Sequence, residues 1–264
     1  MNTALVDVEM SPNVSLTWGV HEQDVLRVLV PRTVISYSIK RLGTNYHKTR
    51  ALPDFKGYKP GWWNLDSTKL MESLWDEIAW CDLMVGHNLK KFDRRRMNRD
   101  AMVHNIFPPR PYRCFDTLTS VRSVADFNSN RLGDVCEELG IGSKMKHPGL
   151  EMWEACVAGN RAAWKMMKLY NAHDVDPLLE GLYLRLRPWD EKHPSNTDED
   201  RLFACPRCRS PRVAVTKRRL TATGPKVQYV CSDCGKYSTL AIQKVPKILN
   251  PKAPLKQNER WRLR

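Results

Sequence analysis

The order of strand-like and helix-like segments predicts an α/β fold, a mixed sheet covered by helices, followed by a small cysteine-rich module. Three strand-like segments come first, then a helix, another strand and mostly helices. That order is typical of helices packed on a sheet. Two cysteine pairs near the C-terminus indicate the second module. With 264 residues, of which 42% are hydrophobic, the chain is long enough for one full core and one small domain.

The first strands are predicted from the alternation of side chains. Residues 3–10 form an apolar run, and residues 11–13 (Ser-Pro-Asn) have the composition of a turn. Residues 15–20 and 33–40 have the composition of further strands. We expect these three strands to form an antiparallel meander. Residues 41–66 are polar and rich in Gly, Pro and aromatic residues, which predicts a loop or a frayed edge.

Helices dominate the rest of the first domain. Leu70, Leu74 and Ile78 recur at helical spacing and predict a helix over residues 67–80. Asn160 has the chemistry of a helix cap, and the long helix that follows it is expected to end near residue 187, before a proline. The other predicted elements are a strand at 82–86, a helix at 89–105, an extended segment at 114–118, a helix capped by Asn130 and ending near 139, and a short helix at 149–158.

The basic charge is concentrated in the last quarter of the chain. The formal net charge is +14; residues 201–264 hold 16 Lys and Arg and 2 Asp and Glu, so residues 1–200 are neutral overall. Such a block is typical of a protein that binds a polyanion, most often nucleic acid, with a solubilising tail as the alternative. The predicted boundaries are 1–192 for the α/β domain, 193–201 for a linker, 202–244 for the cysteine-rich module and 245–264 for a basic tail.

No sequence feature predicts a membrane protein. No stretch approaches the roughly 20 apolar residues of a membrane-spanning helix. The N-terminus lacks the charged and apolar regions of a secretory signal peptide. We therefore expect a cytoplasmic protein.

Two acids on the first predicted strand are the strongest indication of a functional site. Asp7 and Glu9 are two residues apart, so a strand would direct both side chains to the same face. Unpaired carboxylates beside a core strand are costly. Their placement therefore indicates a bound cation, to which Asp93 and Asp174 are further candidate ligands. Tyr170 precedes Asp174 by four residues and would share its helical face.

Together these residues resemble the motifs of the DEDD family of 3′–5′ exonucleases, which have a DnaQ-like, ribonuclease H-like fold. The matching stretches are Asp7-Val-Glu9, Asn88-Leu-Lys-Lys-Phe-Asp93 and Tyr170-x-x-x-Asp174, the last of the tyrosine variant. Residues 3–189 are similar to the YprB-like members, including phage proteins that end in a zinc ribbon. Met10 stands where such proteins often have Thr, which affects the expected contacts to the terminal nucleotide.

The resemblance implies a two-metal hydrolase. Four acids would hold two Mg²⁺ or Mn²⁺ ions about 3.5–4 Å apart, with Asp7 shared by both. Glu9 and Asp174 would complete the site of the attacking water, and Asp93 would act through the second ion. Tyr170 would orient the water, because a phenol with a pKa near 10 is a poor base at neutral pH. The product would be a 5′-nucleoside monophosphate, and the host a bacterial or phage-infected cell.

Several polar and basic residues are candidate contacts to DNA, with RNA as the alternative. Asn88 lies in the second motif, and Arg94 follows Asp93 directly in a run of three arginines. Lys146 lies in a basic loop with Lys144 and His147. The remaining candidates are Met10, Lys217, Arg218 and Arg219.

The second module has the cysteine spacing of a zinc ribbon. Cys205 and Cys208 form one Cys-x-x-Cys pair and Cys231 and Cys234 form the other, with 22 residues between the two pairs. Two such pairs supply the four thiolates of a tetrahedral structural zinc site. Strand-like residues 213–216 and 227–230 flank a turn at Thr223-Gly224. The basic ribbon is expected to bind nucleic acid, with docking to replication or recombination proteins as the alternative.

Three functions remain open from the sequence. The first is a 3′–5′ exonuclease on DNA or RNA, and the second is a structure-specific endonuclease on the same fold. The third is a non-catalytic nucleic-acid-binding adaptor. The complete set of acids argues against the adaptor, because nothing in its physical chemistry requires four clustered carboxylates.

Overall fold

The computed structural model describes residues 2–21, 24–190, 192–193, 205–207, 210 and 212–241. They divide into two compact units, Met1–Asp190 and Glu191–Arg264. The predicted tail lies outside the described residues. None of the helices in the described ranges has the length and apolar character needed to cross a bilayer.

The first unit is built on a five-stranded mixed sheet. Its strands are β1 (Thr3–Met10), β4 (Val34–Arg41), β5 (His47–Ala51), β6 (Leu83–Gly86) and β7 (Arg113–Asp116). They lie in the order β5-β4-β1-β6-β7. The central strand β1 is antiparallel to β4 and parallel to β6, which is itself parallel to β7. The mixed α/β architecture with a ribonuclease H-like arrangement is the predicted fold class and is confirmed.

Helices cover both faces of this sheet. Residues Ala4, Val6 and Val8 of β1 pack into one core with α1, α2, α5 and α6, while Leu5 packs on the opposite side with the chain after α6. Asp7 and Glu9 share the face of Leu5, since side chains alternate along a strand. The helices are α1 (Thr68–Ile78), α2 (Asp93–Val103), α3 (Thr117–Val124), α4 (Leu132–Glu138), α5 (Leu150–Val157), α6 (Arg161–His173) and α7 (Glu180–Leu186).

The predicted meander is wrong at its second strand. The strand predicted at 15–20 is only Val14–Leu16 (β2), and it pairs with Arg27–Val30 (β3) in a separate two-stranded hairpin. Beyond it the chain turns, and Trp18 is exposed. The polar segment 41–66, predicted as a loop or a frayed edge, contributes β5, which pairs with β4 at one edge of the sheet. Polar residues on an edge strand limit further pairing, and a composition of this kind does not distinguish such a strand from a loop.

Three helix predictions also need correction. The helix predicted from residue 89 begins at Asp93, because Asn88 has a left-handed φ of 64° and residues 88–92 form turns. Residues 117–124, the first two of which were predicted as the end of an extended segment, form α3, whose N-terminus is capped by the Asp116 side chain. The helix predicted after Asn130 begins at Leu132, with Arg131 as its N-cap.

The long predicted helix after Asn160 is interrupted. Asn160 caps α6 as expected, since its side chain accepts N–H groups from Ala162 and Ala163. The helix then breaks at Asp174–Leu179, a segment that contains Pro177, before α7 resumes. Proline has no N–H to donate to the preceding turn. Asp174, predicted in mid-helix, therefore lies at the C-terminal end of α6.

The described part of the second unit is a three-stranded antiparallel sheet of order β10-β9-β8. Its strands are β8 (Val213–Thr221), β9 (Gly224–Cys231) and β10 (Tyr237–Ala241). Gly224 has a φ of 103° in the tight turn between β8 and β9, a conformation that favours glycine. The predicted strands at 213–216 and 227–230 are parts of β8 and β9.

Candidate active site and metal centres

A cleft of about 1150 Å³ lies where β1, β6 and β7 approach their carboxyl ends. Asp7, Val8 and Glu9 of β1 line it, together with His87 and Asn88, which follow β6. Ligands commonly bind outside the carboxyl ends of parallel strands. The cleft is therefore the natural place for a functional site in the first unit.

Three of the four predicted acids meet in this cleft. Asp7, Glu9 and Asp174 each offer a carboxylate oxygen, and these oxygens all lie within 4.8 Å of one another. Asp7 and Glu9 reach the site because they alternate on one face of β1. Asp174 reaches it because α6 ends there. The break in the helix thus coincides with the acid cluster.

Asp93 lies beside this cluster, outside the group of three. It is the first residue of α2, and its side chain is 2% exposed. Its carboxylate accepts a hydrogen bond from the backbone N–H of Val8, on the strand between Asp7 and Glu9. Asp93 is close enough to Asp7 to raise the pKa of that carboxyl.

Asp7, Glu9 and Asp93 hold protons more tightly than isolated carboxyls do, because the pKa of each is raised. Desolvation, together with Asp93, Glu9 and Asp174, raises the pKa of Asp7 well above its usual range. Desolvation and the charge of Asp174 raise the pKa of Glu9 to about 8. Desolvation raises the pKa of Asp93 to about 7. Acids packed closely enough to oppose one another's ionisation need positive charge nearby.

The donor set fits a divalent cation. Asp174 Oδ1 is buried and has no hydrogen-bond partner, and an orphaned buried carboxylate oxygen is costly. Three converging carboxylate oxygens are the ligands that Mg²⁺ and Mn²⁺ prefer. A cation among them would satisfy the orphaned oxygen and relieve the repulsion between the acids.

Lys144 supplies a fixed positive charge to the same site. Its Nζ donates to Asp174 Oδ2 at 2.6 Å and to the Tyr170 hydroxyl at 3.1 Å. The sequence predicted only a basic loop at this position. Desolvation alone would lower the pKa of Lys144, but the contacts with Asp174 and Tyr170 together raise it by more, so the pKa lies above its usual value. Lys144 is therefore charged at neutral pH.

Tyr170 lies one helical turn before Asp174 and lines the cleft. Its ring packs edge-on against His147 at 4.8 Å and Trp153 at 6.3 Å between centroids. Burial raises the pKa of Tyr170 to about 12. The hydroxyl thus stays protonated at neutral pH and is available as a hydrogen-bond donor.

Sequence reasoning missed Asn171, which holds Asp7 in place. Its Nδ2 donates to Asp7 Oδ2 at 2.6 Å, and its Oδ1 accepts from Ser36 Oγ at 3.2 Å. Asn171 is fully buried. A polar amide in a buried position of α6, next to Tyr170, was the available signal, because such an amide needs partners.

Asp116 was also missed, and it organises the loop that leads to Asp93. One carboxylate oxygen accepts the backbone N–H groups of Asn88, Leu118 and Thr119, and the other accepts that of Lys90. The cap position of Asp116 before α3 was the sequence signal. This single carboxylate joins the end of β7 to the loop between β6 and α2.

The predicted nucleic-acid contacts occupy different positions. Asn88 and Lys146 line the cleft. Met10 is partly buried and packs on the main core, and Arg94 donates towards Cys114 Sγ at 3.8 Å. The cleft also contains two cations that the sequence did not single out, Arg122 and Arg131.

The predicted zinc ligands cluster in the second unit. Cys205, Cys231 and Cys234 bring their sulfurs within 4.8 Å of one another, and the Cys205 and Cys234 sulfurs are 3.5 Å apart. Tetrahedral zinc with Zn–S bonds of about 2.3 Å requires sulfurs about 3.8 Å apart, which this cluster approaches. Cys208, the fourth predicted ligand, lies outside the described residues. Lys217, Arg218 and Arg219 lie on β8.

Comparison with known proteins supports the fold. No protein-family model and no curated protein matches the sequence. Among solved structures, the family B DNA polymerase from the hyperthermophilic archaeon Pyrobaculum calidifontis is similar, with a TM-score of 0.52 and 13% identity. The match covers 71% of this chain and 24% of the polymerase chain. The chain thus has a fold that also occurs within a DNA polymerase about four times the matched length.

Proposed function

We propose that the chain is a divalent-metal-dependent 3′–5′ exonuclease that hydrolyses DNA and releases 5′-nucleoside monophosphates. The observation that carries this proposal is the convergence of Asp7, Glu9 and Asp174 in one cleft, with Asp174 Oδ1 buried and unpartnered. Asp93 and Tyr170 beside them complete the motifs that resemble the tyrosine variant of the DEDD exonucleases. Similarity to a DNA polymerase favours DNA as the substrate.

In this proposal the four acids bind metal ions and Tyr170 orients the attacking water. Asp7, Glu9 and Asp174 hold the cation, and Asp93 contributes to a second site beside Asp7. When bound, such ions supply a nucleophilic water at neutral pH and neutralise charge that develops on the phosphate. The protonated Tyr170 hydroxyl donates to the attacking water and orients it.

The basic side chains of the cleft act on the phosphates of the substrate and on Asp174 rather than on the attacking water. Lys144 fixes Asp174 through the 2.6 Å contact and adds positive charge beside the reacting phosphate. Arg122, Arg131 and Lys146 line the cleft and are suited to bind the phosphates of the adjoining nucleotides. In the second unit, Cys205, Cys208, Cys231 and Cys234 bind one structural Zn²⁺.

The test uses 5′-labelled single-stranded and double-stranded DNA and RNA with Mg²⁺ or Mn²⁺. We expect DNA to shorten progressively from its 3′ end, and Asp7→Ala to abolish the shortening. Glu151→Ala removes an exposed acid of α5 and serves as a matched control that retains activity. Tyr170→Phe should slow turnover roughly 10- to 100-fold, the loss of one hydrogen bond in the transition state.

The other outcomes are equally clear. Full-length substrate in every reaction would refute the proposal and favour the non-catalytic adaptor. Internal cuts would replace the exonuclease with the endonuclease, and shortening of RNA alone would change the substrate.

A further inference from the structure

The three-stranded sheet of the second unit has one core face and one outer face. Val227 and Tyr229 of β9 are buried, and Val213 and Leu240 pack against them from the neighbouring strands. Because strand side chains alternate, Lys226 and Gln228 of β9 point to the opposite face. This outer face is defined here by Lys217, Arg219, Lys226, Gln228, Tyr237 and Thr239, which the strand pairing brings together.

A register shift in β8 decides which of its three consecutive cations reach the outer face. Val215 pairs with Tyr229, but Lys217 pairs with Gln228, so Thr216 is the extra residue of a bulge. The bulge reverses the alternation beyond it. Lys217 and Arg219 consequently lie on the outer face, whereas Arg218, opposite Val227, lies on the core side.

The outer face concentrates positive charge without a compensating acid. Arg219 pairs directly with Lys226 across the sheet, and neither they nor Lys217 form an ion pair within the described residues. In described residues 205–241 the acid is Asp233, which bonds Arg212 at 2.5 Å. Like charges directly opposite each other destabilise a sheet, so this arrangement favours an anionic ligand.

An exposed aromatic ring lies on the same face. Tyr237 of β10 pairs with Val230 and is 57% exposed. Val230 is two residues from Gln228 along β9, or about 6.7 Å, and β10 lies two strands from β8, or about 9.6 Å across the sheet, so Tyr237 is within about 12 Å of Lys217. An exposed ring on the same face as several cations is an arrangement that proteins use to stack an unpaired base while the cations hold the phosphates. A base within a duplex does not present its face in this way.

We propose that this outer face binds single-stranded nucleic acid, with phosphates on Lys217, Arg219 and Lys226 and a base stacked on Tyr237. The proposal rests on the proposed function only in taking nucleic acid as the substrate. It also assigns different roles to adjacent residues: Arg218 contributes far less than its two neighbours.

The experiment measures binding of a labelled oligonucleotide by fluorescence anisotropy across a salt series. The protein is the full chain with Asp7→Ala, which prevents cleavage. Each phosphate contact on a single strand contributes about 0.7 to the slope of log affinity against log salt. Replacing Lys217, Arg219 and Lys226 together by glutamine removes three such contacts and should therefore reduce the magnitude of the slope by about 2. Tyr237→Ala should weaken binding about 5- to 150-fold with the slope unchanged. Arg218→Gln, in the same strand, is the comparison variant and should leave the slope within about 0.3 of the parent.

Each alternative result overturns a stated part of the proposal. An unchanged slope in the triple variant, or an equal loss in Arg218→Gln, would show that this face is not the binding surface. Equal affinity for duplex and single strand, with Tyr237→Ala neutral, would remove the stacked base. Zinc content is measured in every variant, so that a misfolded ribbon is recognised. Binding is measured without cleavage, so the binding proposal can be confirmed even if the exonuclease proposal fails. The exonuclease proposal can likewise be confirmed if this face does not bind nucleic acid.

Discussion

Asn171 connects α6 to Asp7 on the central strand β1, and Asn171→Leu tests that connection. Leucine has the same branching and number of heavy atoms as asparagine, although its methyl groups are bulkier, and it favours helix, so α6 should persist. The Ser36 hydroxyl still has a hydrogen-bond acceptor after the change, because it also donates to the Arg50 carbonyl at 3.0 Å. The substitution therefore removes one interaction of the site, the 2.6 Å bond from Asn171 Nδ2 to Asp7.

The expected loss follows from that bond. A hydrogen bond to a charged group contributes about 1.5–3 kcal/mol. If all of it serves to orient Asp7 for a cation, the dissociation constant of Mn²⁺ rises about 10- to 150-fold. Loss of an outer partner of a metal ligand commonly has an effect of this size. Ser36→Ala leaves the bond to Asp7 intact and should weaken Mn²⁺ binding much less.

The assay is a titration of Mn²⁺ followed by electron paramagnetic resonance of the free ion. Circular dichroism of the metal-free variants verifies that they fold. A folded Asn171→Leu protein that binds Mn²⁺ within threefold of the parent would refute the positioning role. An equal loss in Ser36→Ala would show that general packing, rather than the bond to Asp7, sets the affinity.

Two further predictions concern the loop between β6 and α2, which leads to Asp93. Asp116→Asn replaces one accepting oxygen by a donor, so a backbone N–H of that loop loses its partner; the free energy of unfolding of the first unit in urea should fall by about 1.5–3 kcal/mol, and an unchanged midpoint would contradict this. Burial lowers the pKa of His87 to about 4, so between about pH 6.5 and 4 the unfolded chain binds a proton that the folded chain does not. That term destabilises the fold as the pH falls, and His87→Gln should remove about 2–3 kcal/mol of the loss between pH 7 and 4.5; parallel stability profiles for parent and variant would contradict it.

The strand that carries Asp7 and Glu9 could be predicted because its signal is local. Alternation within eight residues fixes which side chains share a face, whatever the strand pairs with. The pairing itself depends on distant residues, and this explains the error at residues 15–20. Their composition indicated a strand but contained nothing to exclude a separate hairpin. The segment that holds the polar edge strand β5 was predicted only as a loop or a frayed edge.

The supporting residues of the site were less accessible for a similar reason. Asn171 and Asp116 bond to groups 164 and 28 residues away, and only the folded chain reveals those partners. Lys144 is a comparable case, since its loop composition suggested contact with substrate while its Nζ reaches Asp174. Motif spacing identified acids and cysteines because their chemistry demands particular residue types; the neighbours that orient them are less constrained in type.

The order in which the chain is synthesised determines when the acid cluster can form. Asp7 and Glu9 are synthesised about 165 residues before Asp174, which joins them only after α6 is complete. At about 5–20 residues per second, translation separates the two events by roughly 10–30 s. During that interval, and in any product truncated before α6, the three-carboxylate group cannot assemble. A chain released before α6 therefore lacks the three-carboxylate group on which the proposed chemistry depends.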